Sequence, residues 1–590
     1  MFPIRPNEPE YAKLKDPVSL EHNRYGKSIE TVPADHELRG QSLRINGDEA
    51  IGPNPNRYKQ HGFFFNADNC IACHACEAAC SEKNDNPAHI AFRSVGFVEG
   101  GTYPNTQRLN ISMACNHCDN PVCLKGCPTR AYTKFAEYGA VLQDPDICFG
   151  CGYCTWVCPY NAPQLDPIKG QVSKCNMCVD RLEVGLKPAC VSACLGKALD
   201  FGVIENVPEG RSQARTEIPG FPRSDITHPN VRFQQTRATQ RDMLRVDSMP
   251  LKYHKDDGTG EFRPQLDPKH GFQRQWNLKK LLGSHENAHV AFTLSAQSVM
   301  GAFLMLLSGA FAPLHTPATL LVLLALMSFG LFKLNMHLGK PLRFYRGFNN
   351  WRLSPVSREI AGVSLFFAGL AGTTFFTLFP GFPFADLLKP AAMLAGLVGM
   401  GFGGYYMVKL YRIKARPFWD HWQTGTSFAG TGLALGGLLL GLLGLAQGTL
   451  AAGTANLLGA LMALGFALES LGLFFHARDM QARGNEGAAS HYEQTTRYGH
   501  AYGLRNTLLA LSFVLALNIA LLAAASPAAF LLLAPLALAA AILGRALFYV
   551  LVIPTTMPGA FFWRNKGFVE HARETGLAEM PQLGVVPDSH

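Results

Sequence analysis

Most of this 590-residue chain contains no cysteine, because all sixteen cysteines lie between Cys70 and Cys194. A disulfide framework is typical of short secreted domains. The opening residues, MFPIRPNEPEY, contain neither an apolar core nor a twin-arginine pair, so we expect no export signal. A long chain without such a signal is a poor candidate for a disulfide framework, and the clustered cysteines need another explanation.

Charged residues are sparse in the second half of the chain, where Leu, Ala, Gly and Phe dominate. This absence of charged faces argues against a soluble helical core. We predict eight membrane-spanning helices, each near or above the length needed to cross the hydrocarbon core. They cover about residues 289–312, 317–335, 358–379, 390–411, 427–447, 454–476, 504–525 and 529–552. Their many small residues favour close packing between membrane helices.

The sixteen cysteines fall into four runs of four. Two runs, CIACHACEAAC and CFGCGYCTWVC, have a spacing that lets three thiolates hold one [4Fe–4S] cluster while the fourth reaches another cluster. Tetrahedral zinc sites draw instead on two separated pairs and do not need this rhythm. At four thiolates per cluster, the sequence predicts four [4Fe–4S] clusters. The predicted ligands are Cys70, Cys73, Cys76, Cys80, Cys115, Cys118, Cys123, Cys127, Cys148, Cys151, Cys154, Cys158, Cys175, Cys178, Cys190 and Cys194.

The formal net charge of +9 does not indicate a nucleic-acid partner. An oxidised cluster with four thiolates carries a charge of about −2, so four clusters bring the loaded chain close to neutral. The remaining basic residues lie mostly beside predicted spans, where a lipid bilayer explains them better than DNA does. We therefore expect contact with membrane lipid and none with nucleic acid.

Composition divides the chain into five segments. Residues 1–60 are a polar extension, either disordered or an arm that wraps a partner. Residues 61–203 repeat a strand, a cluster loop and a short helix, as in HGFFFNADNC and GAVLQDPDIC with the cysteines that follow. Residues 204–285 are a polar linker or a partner-binding segment, 286–553 the membrane anchor, and 554–590 a tail on the cytoplasmic side. The predicted fold class is an α+β double bis-[4Fe–4S] ferredoxin-like domain followed by an all-α eight-helix transmembrane bundle.

Basic residues lie mainly on one side of the predicted spans. With eight spans, both ends of the anchor lie on the same side, and the opposite loops contain only Lys389. The positive-inside rule therefore predicts that the cluster domain faces the cytoplasm. Binding of an acidic partner is the alternative explanation. The basic residues in question are Lys340, Arg343, Arg346, Arg352, Arg412, Lys414, Arg416, Arg478, Arg483, Arg497, Arg564, Lys566 and Arg573.

Four ionisable residues lie within or at the ends of the spans: His337, Glu359, Glu469 and Arg545. Such groups are costly in a membrane and are functional candidates by default. A quinone needs hydrogen-bond donors at its carbonyls and a proton path, which a histidine and a carboxylate can supply. We therefore predict that these four residues bind quinone. The alternatives are helix pairing and snorkelling to the interface, above all for Arg545.

Residues 61–203 resemble the iron–sulfur subunit of dimethyl sulfoxide reductase-type molybdoenzymes. The matching stretches include GFFFNADNCIACHACEAAC, CNHCDNPVCLKGCPTRAY and DICFGCGYCTWVCPYNAPQ. The chain departs from the family at Leu195, where a proline usually follows the last cysteine. The resemblance implies clusters shared between runs. It groups Cys70, Cys73 and Cys76 with Cys194; Cys80 with Cys175, Cys178 and Cys190; Cys115, Cys118 and Cys123 with Cys158; and Cys127 with Cys148, Cys151 and Cys154.

Residues 287–552 resemble the eight-helix membrane anchor of the same enzymes, which binds menaquinol. The resemblance rests on AFTLSAQSVMGAFL, MHLGKPLRFYRGFN, SPVSREI and GRALFY. In that family a histidine and a glutamate of these stretches are implicated at the quinol site, and they correspond to His337 and Glu359. The two subunits are usually separate chains, and here they are fused.

The resemblance implies an electron-transfer and anchoring subunit in a bacterial inner membrane. It would relay electrons between a separate molybdopterin-containing catalytic subunit and membrane quinone or menaquinone, since the remaining segments are too short and polar for a molybdopterin domain. Cytoplasmic orientation favours sulfite oxidation with quinone reduction, as in related cytoplasmic sulfite dehydrogenases. Reduction of dimethyl sulfoxide or other S- or N-oxides by menaquinol is the close alternative. Two other hypotheses are a stand-alone ferredoxin:quinone oxidoreductase and an anchor that leaves the quinone to a neighbouring cytochrome.

Overall fold

The computed structural model describes residues 8–14, 59–87, 89–206, 218–235, 238–245, 249–269, 271–284, 286–522, 527–550, 552–553 and 555. These residues form two compact units, a cluster unit up to Gln265 and a membrane unit over Leu266–Ile553. Most of the predicted extension at 1–60, and all but residue 555 of the tail at 554–590, lie outside the described residues. Within the extension, Glu10–Ala12 form a 3₁₀ turn, and Lys13 pairs with Leu186 of the cluster unit.

The cluster unit contains two sheets and two small hairpins. One sheet has the strand order β8-β1-β9, the other has the order β12-β11-β10-β2-β3, and β4–β5 and β6–β7 are the hairpins. The strands are β1 (His61–Asn66), β2 (Arg93–Gly100), β3 (Gln107–Ala114), β4 (Tyr132–Lys134), β5 (Val141–Gln143), β6 (Gln164–Asp166), β7 (Gln171–Ser173), β8 (Leu199–Val203), β9 (Val231–Gln234), β10 (Asp242–Arg245), β11 (Leu251–Lys255) and β12 (Phe262–Leu266).

Strand β1 is the centre of its sheet because the run FFF is buried on both faces. It pairs antiparallel with β8, where Phe63 lies opposite Phe201, and parallel with β9, where Phe65 lies opposite Phe233. Parallel neighbours cannot be joined by a tight turn and need a long crossover connection. Strand β9 therefore comes from far along the chain, within the segment predicted as a linker.

The segment 204–285 is more than the polar linker that was one of its two predicted roles, and partner binding stays a prediction. Its strands β9 to β12 complete both sheets of the cluster unit. Strands β9, β10 and β11 each bury only one or two apolar side chains, among them Val231, Met243 and Tyr253, and β12 is only partly buried. So few apolar residues, separated by polar turns, produce no hydrophobic periodicity that could be recognised in the sequence.

Five short helices lie in or next to the cysteine runs: α1 (Ala75–Lys83), α2 (Val122–Gly126), α3 (Tyr153–Val157), α4 (Val179–Leu182) and α5 (Ala189–Ser192). Strand β1 precedes the first run and strand β5 precedes the third, which confirms the predicted repeat of strand, loop and short helix. The turns before α3 and α4 place Gly152 and Cys178 in the left-handed conformation. The thiols thus lie on tight loops fixed by sheet and helix.

The membrane unit has eight helices long and apolar enough to cross a bilayer among the described residues, which confirms the predicted number. The spans are α7 (Asn287–Leu306), α8 (Pro317–Met336), α9 (Pro355–Leu378), α10 (Ala385–Lys409), α11 (Gln423–Ala446), α12 (Ala452–Arg483), α14 (Gly499–Leu521) and α15 (Pro527–Val550). Two further helices are shorter, α6 (Leu278–Leu282) and α13 (Glu486–Thr495).

Helix α12 extends beyond the predicted end at residue 476, to Arg483. Its 32 residues rise about 48 Å at 1.5 Å per residue. The hydrocarbon core is only about 30 Å thick. The last turns of α12, HARDMQAR, therefore lie beyond the apolar part of a bilayer, where hydropathy does not reveal a helix.

Glycines bring several spans into backbone contact. A Cβ on Gly301 of α7 would collide with the carbonyl oxygen of Gly432 on α11, and one on Gly362 of α9 would collide with the backbone of Gly403 on α10. Small residues at helix interfaces allow this close approach in membranes, where van der Waals packing drives association. The spans therefore form a tightly packed bundle that can hold buried polar side chains in fixed positions.

Candidate functional site

Cys70, Cys73, Cys76 and Cys194 line one cavity of the cluster unit. The backbone N–H of Leu199 donates to the Cys194 Sγ at 3.3 Å. The first three thiols come from the loop before α1 and from the first turn of α1. The fourth, Cys194, is the last cysteine of the last run. The structure thus brings together the first group of cysteines that the family resemblance implied.

Cys80, Cys175, Cys178 and Cys190 form a second group. Burial raises the pKa of the Cys80 thiol, and the nearby thiolates of the other three cysteines raise it further. Burial and the charges of Cys190 and Cys175 raise the pKa of Cys178 to about 12. Mutual electrostatic interaction of this kind indicates four thiols that face one another across a small space.

Cys115, Cys118, Cys123 and Cys158 line a second cavity, together with His117 and Lys174. Burial raises the pKa of Cys118, and the nearby thiolates of Cys115, Cys158 and Cys123 add to that rise. These four thiols are the third group that the resemblance implied.

Cys127, Cys148, Cys151 and Cys154 form the fourth group. Burial raises the pKa values of Cys151 and Cys154, and both thiols interact with the nearby thiolates of Cys127 and Cys148. Three of the four, Cys127, Cys148 and Cys154, belong to a small core around the β4–β5 hairpin. The cavities and the electrostatic interactions therefore support four groups of four thiols, and Cys175 also interacts with Cys115 of the third group.

The four thiol groups fit iron–sulfur clusters. Crowded, buried thiols hold their protons because each thiolate would raise the pKa of its neighbours, but a coordinated metal keeps a thiol deprotonated. Backbone N–H groups also point at sulfur: Gly150 donates to the Cys148 Sγ and Met177 to the Cys175 Sγ, both at 3.4 Å. Hydrogen bonds of this kind orient thiolate ligands and tune cluster potential.

Arg93 is a charged residue that the sequence did not single out. It lies on β2 and is only 2% exposed. Burial alone would lower its pKa, but the thiolates of Cys190, Cys76, Cys175 and Cys80 raise the pKa above its usual range. A fixed cation therefore lies between the first and second thiol groups, where it stabilises negative charge on both.

Lys174 is a buried cation beside the third thiol group, as Arg93 is beside the first two. Its Nζ donates to the carbonyl oxygens of Val141 and, at 2.9 Å, Cys175. Its charge lowers the pKa values of Cys123 and Cys158 against the stronger effect of burial. Only its position next to a cysteine in the sequence could have suggested this role.

In the membrane unit, His337 caps the C-terminus of α8 and lies beside His289 of α7, with the ring centroids 4.4 Å apart. The Glu286 Oε2 lies 3.0 Å from the His289 Nδ1. The ligand atoms of Glu286, His289 and His337 all lie within 4.8 Å of one another. Since His289 and Glu286 stand at the polar start of α7, nothing in the sequence marked them.

Glu359 lies in the first turns of α9 and is buried. It lies near Tyr411 and Tyr549, whose hydroxyls are 2.7 Å apart. The ring of Tyr549 lies 5.7 Å from that of His289. The structure therefore gathers His337 and Glu359 around one group of aromatic and histidine side chains.

Arg545 and Glu469 lie inside the helix bundle. The Arg545 guanidinium donates to the Gln297 Oε1 at 2.8 Å and to the Thr431 Oγ1 at 3.3 Å, and it lies over the ring of Phe428. Arg545 is only 4% exposed, so it does not snorkel to the interface. Glu469 accepts hydrogen bonds from Ser427 at 3.4 Å and from Thr431 at 3.5 Å. Thr431 thus links the two ionisable residues.

Two family profiles match adjoining parts of the chain. The 4Fe-4S dicluster domain family matches residues 107–204. The DMSO reductase anchor subunit (DmsC) family matches residues 281–551. The first match overlaps three of the four cysteine runs, and the second includes all eight spans.

Individual relatives resemble the cluster unit. One component of the anaerobic dimethyl sulfoxide reductase of Escherichia coli is 38% identical over 180 residues, which cover 29% of this chain and 87% of that protein. One component of the sulfite dehydrogenase of Allochromatium vinosum is 34% identical over 220 residues, 32% of this chain and 92% of that protein. The iron-sulfur subunit of the nitrate-inducible formate dehydrogenase of Escherichia coli is 36% identical over 179 residues, 27% of this chain and 60% of that protein.

The four thiol groups and the eight spans define a membrane-anchored iron–sulfur protein that transfers electrons. This protein belongs to the dimethyl sulfoxide reductase family, as a fusion of its iron–sulfur subunit with its membrane anchor subunit. It holds [4Fe–4S] clusters and acts as a redox subunit of a larger complex.

Proposed function

We propose that the chain relays electrons one at a time through four [4Fe–4S] clusters, between a molybdopterin-containing catalytic subunit and membrane quinone. The proximity of cysteines from different runs, such as Cys194 beside Cys70, Cys73 and Cys76, is the observation that best supports this proposal. When bound, the clusters would supply one-electron carriers. The protein supplies the thiolates, the N–H donors that orient them, and the fixed charges of Arg93 and Lys174.

The proposed ligands follow the four thiol groups. Residues 61–203 carry all of them, and strands β9 to β12 complete the sheets that hold the loops in place. The ligand sets are Cys70, Cys73, Cys76 and Cys194; Cys80, Cys175, Cys178 and Cys190; Cys115, Cys118, Cys123 and Cys158; and Cys127, Cys148, Cys151 and Cys154.

The proposed quinone pocket lies around His337 and Glu359. Support comes from the neighbouring side chains, since His289, Tyr411 and Tyr549 add hydrogen-bonding and aromatic groups at the same place. A quinone requires hydrogen bonds at its carbonyls and a proton for each electron it accepts. Imidazole, carboxyl and phenol groups meet these needs.

The identity of the catalytic partner's substrate depends on the direction of electron flow. The relatives include components of a dimethyl sulfoxide reductase and of a sulfite dehydrogenase. The basic residues beside the spans support a bacterial inner-membrane protein with its cluster unit in the cytoplasm. This orientation favours sulfite oxidation with quinone reduction over reduction of dimethyl sulfoxide or another S- or N-oxide.

Purification of the chain with its natural partner tests the relay. We expect a large partner with molybdenum, about sixteen irons per chain from four clusters, and oxidation or reduction of the clusters by a menaquinone analogue. A complex without molybdenum would instead favour a stand-alone ferredoxin:quinone oxidoreductase. Assays of membranes with sulfite and with dimethyl sulfoxide then decide the direction.

A further inference from the structure

A polar cavity lies inside the membrane unit, and neither His337 nor Glu359 is among its lining residues. Its polar lining is Gln423, Ser427, Glu469, His476, Gln494, Arg505 and Arg545. The four ionisable members are all buried. Ionisable groups within spans are costly and mark ion or proton pathways by default. The cavity therefore requires a functional explanation.

One end of this cavity leads to an aqueous surface along α12. His476 lies two turns from Glu469 on this helix, and Asp479 lies almost one turn further. The ring of His476 is 5.1 Å from that of His421, whose Nε2 lies 3.0 Å from the Asp479 Oδ2. The Asp479 side chain is 41% exposed. Acid–base groups thus follow one another from solvent to the cavity.

The other end leads toward the proposed quinone pocket. Glu469 bonds to Thr431, and Thr431 accepts a hydrogen bond from Arg545. One turn further along α15, the Tyr549 hydroxyl is 2.7 Å from that of Tyr411. The Tyr549 ring faces His289, which packs against His337. The polar groups therefore continue up to the side chains expected to contact quinone.

A purely structural role explains this arrangement less well. Among the described residues, no ion pair within 4.0 Å joins Glu469 to Arg545 or Arg505, and hydroxyl groups hold the carboxylate instead. A structural pair in a membrane needs excellent geometry to offset the cost of desolvating two charges. Two nearby cations without tight pairing would allow Glu469 to lose and regain a proton, since they stabilise its anion.

We propose that this cavity is a proton conduit, which joins the aqueous surface at Asp479 to the quinone pocket through His421, His476 and Glu469. The inference rests on the proposed quinone function. Reduction of one quinone takes two electrons from the iron–sulfur relay and two protons from the conduit, and it gives one quinol. Quinol oxidation returns the electrons to the relay and the protons to the same surface. Water bridges the longer gaps, for which the polar lining supplies hydrogen-bond partners.

Single-turnover kinetics of the full chain with its clusters test the conduit. The clusters are reduced with dithionite and mixed with menadione, a menaquinone analogue, in a weakly buffered solution that contains a pH-indicator dye. Cluster reoxidation and proton uptake are followed together. Binding of a fluorescent quinol-analogue inhibitor is measured separately.

We expect Glu469→Gln to slow proton uptake and cluster reoxidation by about tenfold or more, because a neutral amide cannot relay protons. Inhibitor affinity should stay within about twofold of wild type. Formate or azide, small acids that carry protons, should restore much of the rate. Glu469→Asp, which keeps a carboxyl group, should be faster than Glu469→Gln. Asp479→Asn should slow uptake less, because the Asp479 side chain is 41% exposed and water can take the place of its carboxylate beside His421.

Thr373→Val is the matched control. Its hydroxyl is buried in α9 and donates to the Gly369 carbonyl at 2.8 Å, outside the cavity. This variant should react at the wild-type rate. An unchanged rate in Glu469→Gln would overturn the conduit, and so would a slow rate that small acids do not restore.

Failure of the quinone proposal gives a different result. Wild-type chain would then neither bind the inhibitor nor pass electrons to menadione, and the conduit would fail with it. Loss of inhibitor binding in Glu469→Gln alone would make Glu469 a quinone contact and also overturn the conduit.

Discussion

The imidazole rings of His289 and His337 meet edge to face, with centroids 4.4 Å apart and planes inclined by 73°. His289 belongs to α7 and His337 lies at the end of α8. The Glu286 carboxylate, next to the start of α7, lies 3.0 Å from the His289 Nδ1. A carboxylate that holds one imidazole fixes its orientation. His289 therefore restricts the position of the His337 ring.

Replacement of His289 should weaken quinone binding. We expect His289→Ala to lower the affinity of a quinol-analogue inhibitor by about tenfold, which corresponds to the loss of about 1.4 kcal/mol of contacts. Fluorescence titration measures the change. His315→Ala is the control, since this histidine lies in the connection before α8, at the other end of that helix. Equal affinities of the two variants would show that His289 does not shape the pocket.

Replacement of Arg93 should change cluster potentials. Arg93→Gln removes a buried cation beside Cys76, Cys80, Cys175 and Cys190. The reduced clusters, being more negative, lose more stabilisation than the oxidised ones, so the potentials of the two proposed clusters beside Arg93 should fall. A tenfold shift between the redox states corresponds to about 60 mV for one electron.

Redox titration followed by electron paramagnetic resonance measures these potentials. Arg93→Lys should retain most of the effect. Arg108→Gln is the control, because Arg108 is exposed and pairs with Glu99. Potentials that move equally in all four clusters would contradict a local effect of Arg93.

Removal of one thiol from the fourth group should remove one cluster. Cys151→Ala takes a ligand from the set with Cys127, Cys148 and Cys154, and the iron content should fall by about a quarter. Metal binding also contributes folding free energy in small metal-dependent domains, so the cluster unit should unfold at a lower temperature. Iron analysis and thermal unfolding measure both effects. An unchanged iron content would exclude Cys151 from the ligands.

The cluster unit should lose stability in mild acid through His61. Burial lowers the pKa of His61 from 6.5 to about 4, against the raising effect of its hydrogen bond to the Lys59 carbonyl. The unfolded chain then binds more protons than the folded one below pH 6.5. Neutral His61 therefore contributes up to about 3 kcal/mol to the free energy of unfolding above pH 6.5, and this contribution is lost as the pH falls toward 4.

Thermal unfolding of the solubilised chain at pH 7 and pH 5, followed by loss of cluster absorbance, tests the role of His61. In wild type the midpoint should fall on acidification. His61→Phe keeps an aromatic ring against Tyr138 and Phe201 and should show a smaller fall. If the unfolding midpoints of both chains fall by the same amount, groups other than His61 cause the acid sensitivity.

Local patterns in the sequence predicted the larger features. Cysteine spacing depends on the size of a cluster, and the length of an apolar run depends on the thickness of a bilayer. Both are properties of short stretches, so the repeated strand–loop–helix units and the eight spans could be read from the chain. His337 and Glu359 were predicted as site residues because they are polar within apolar surroundings and because the family resemblance points to them.

Long-range contacts were beyond such patterns. Arg93 looks like one charge among many until β2 places it beside thiols that come from the first and the last cysteine runs. His289 and Tyr549 stand at opposite ends of the membrane unit in sequence, and only the packing of α7 against α15 brings their rings together. The sequence did not reveal β9 and β10 for the same reason, since their partners β1 and β2 lie more than a hundred residues away.

Strand β9 also determines where this polypeptide could be divided. It is the parallel neighbour of β1. The first cysteine run begins at Cys70, only a few residues after β1 ends. A chain cut after residue 203 would leave an open edge beside Phe63 and Phe65, and an exposed apolar edge pairs readily with other chains. If two ancestral genes joined to give this protein, the first therefore ended well beyond the last cysteine. Attempts to express the two parts separately should place the break after β12.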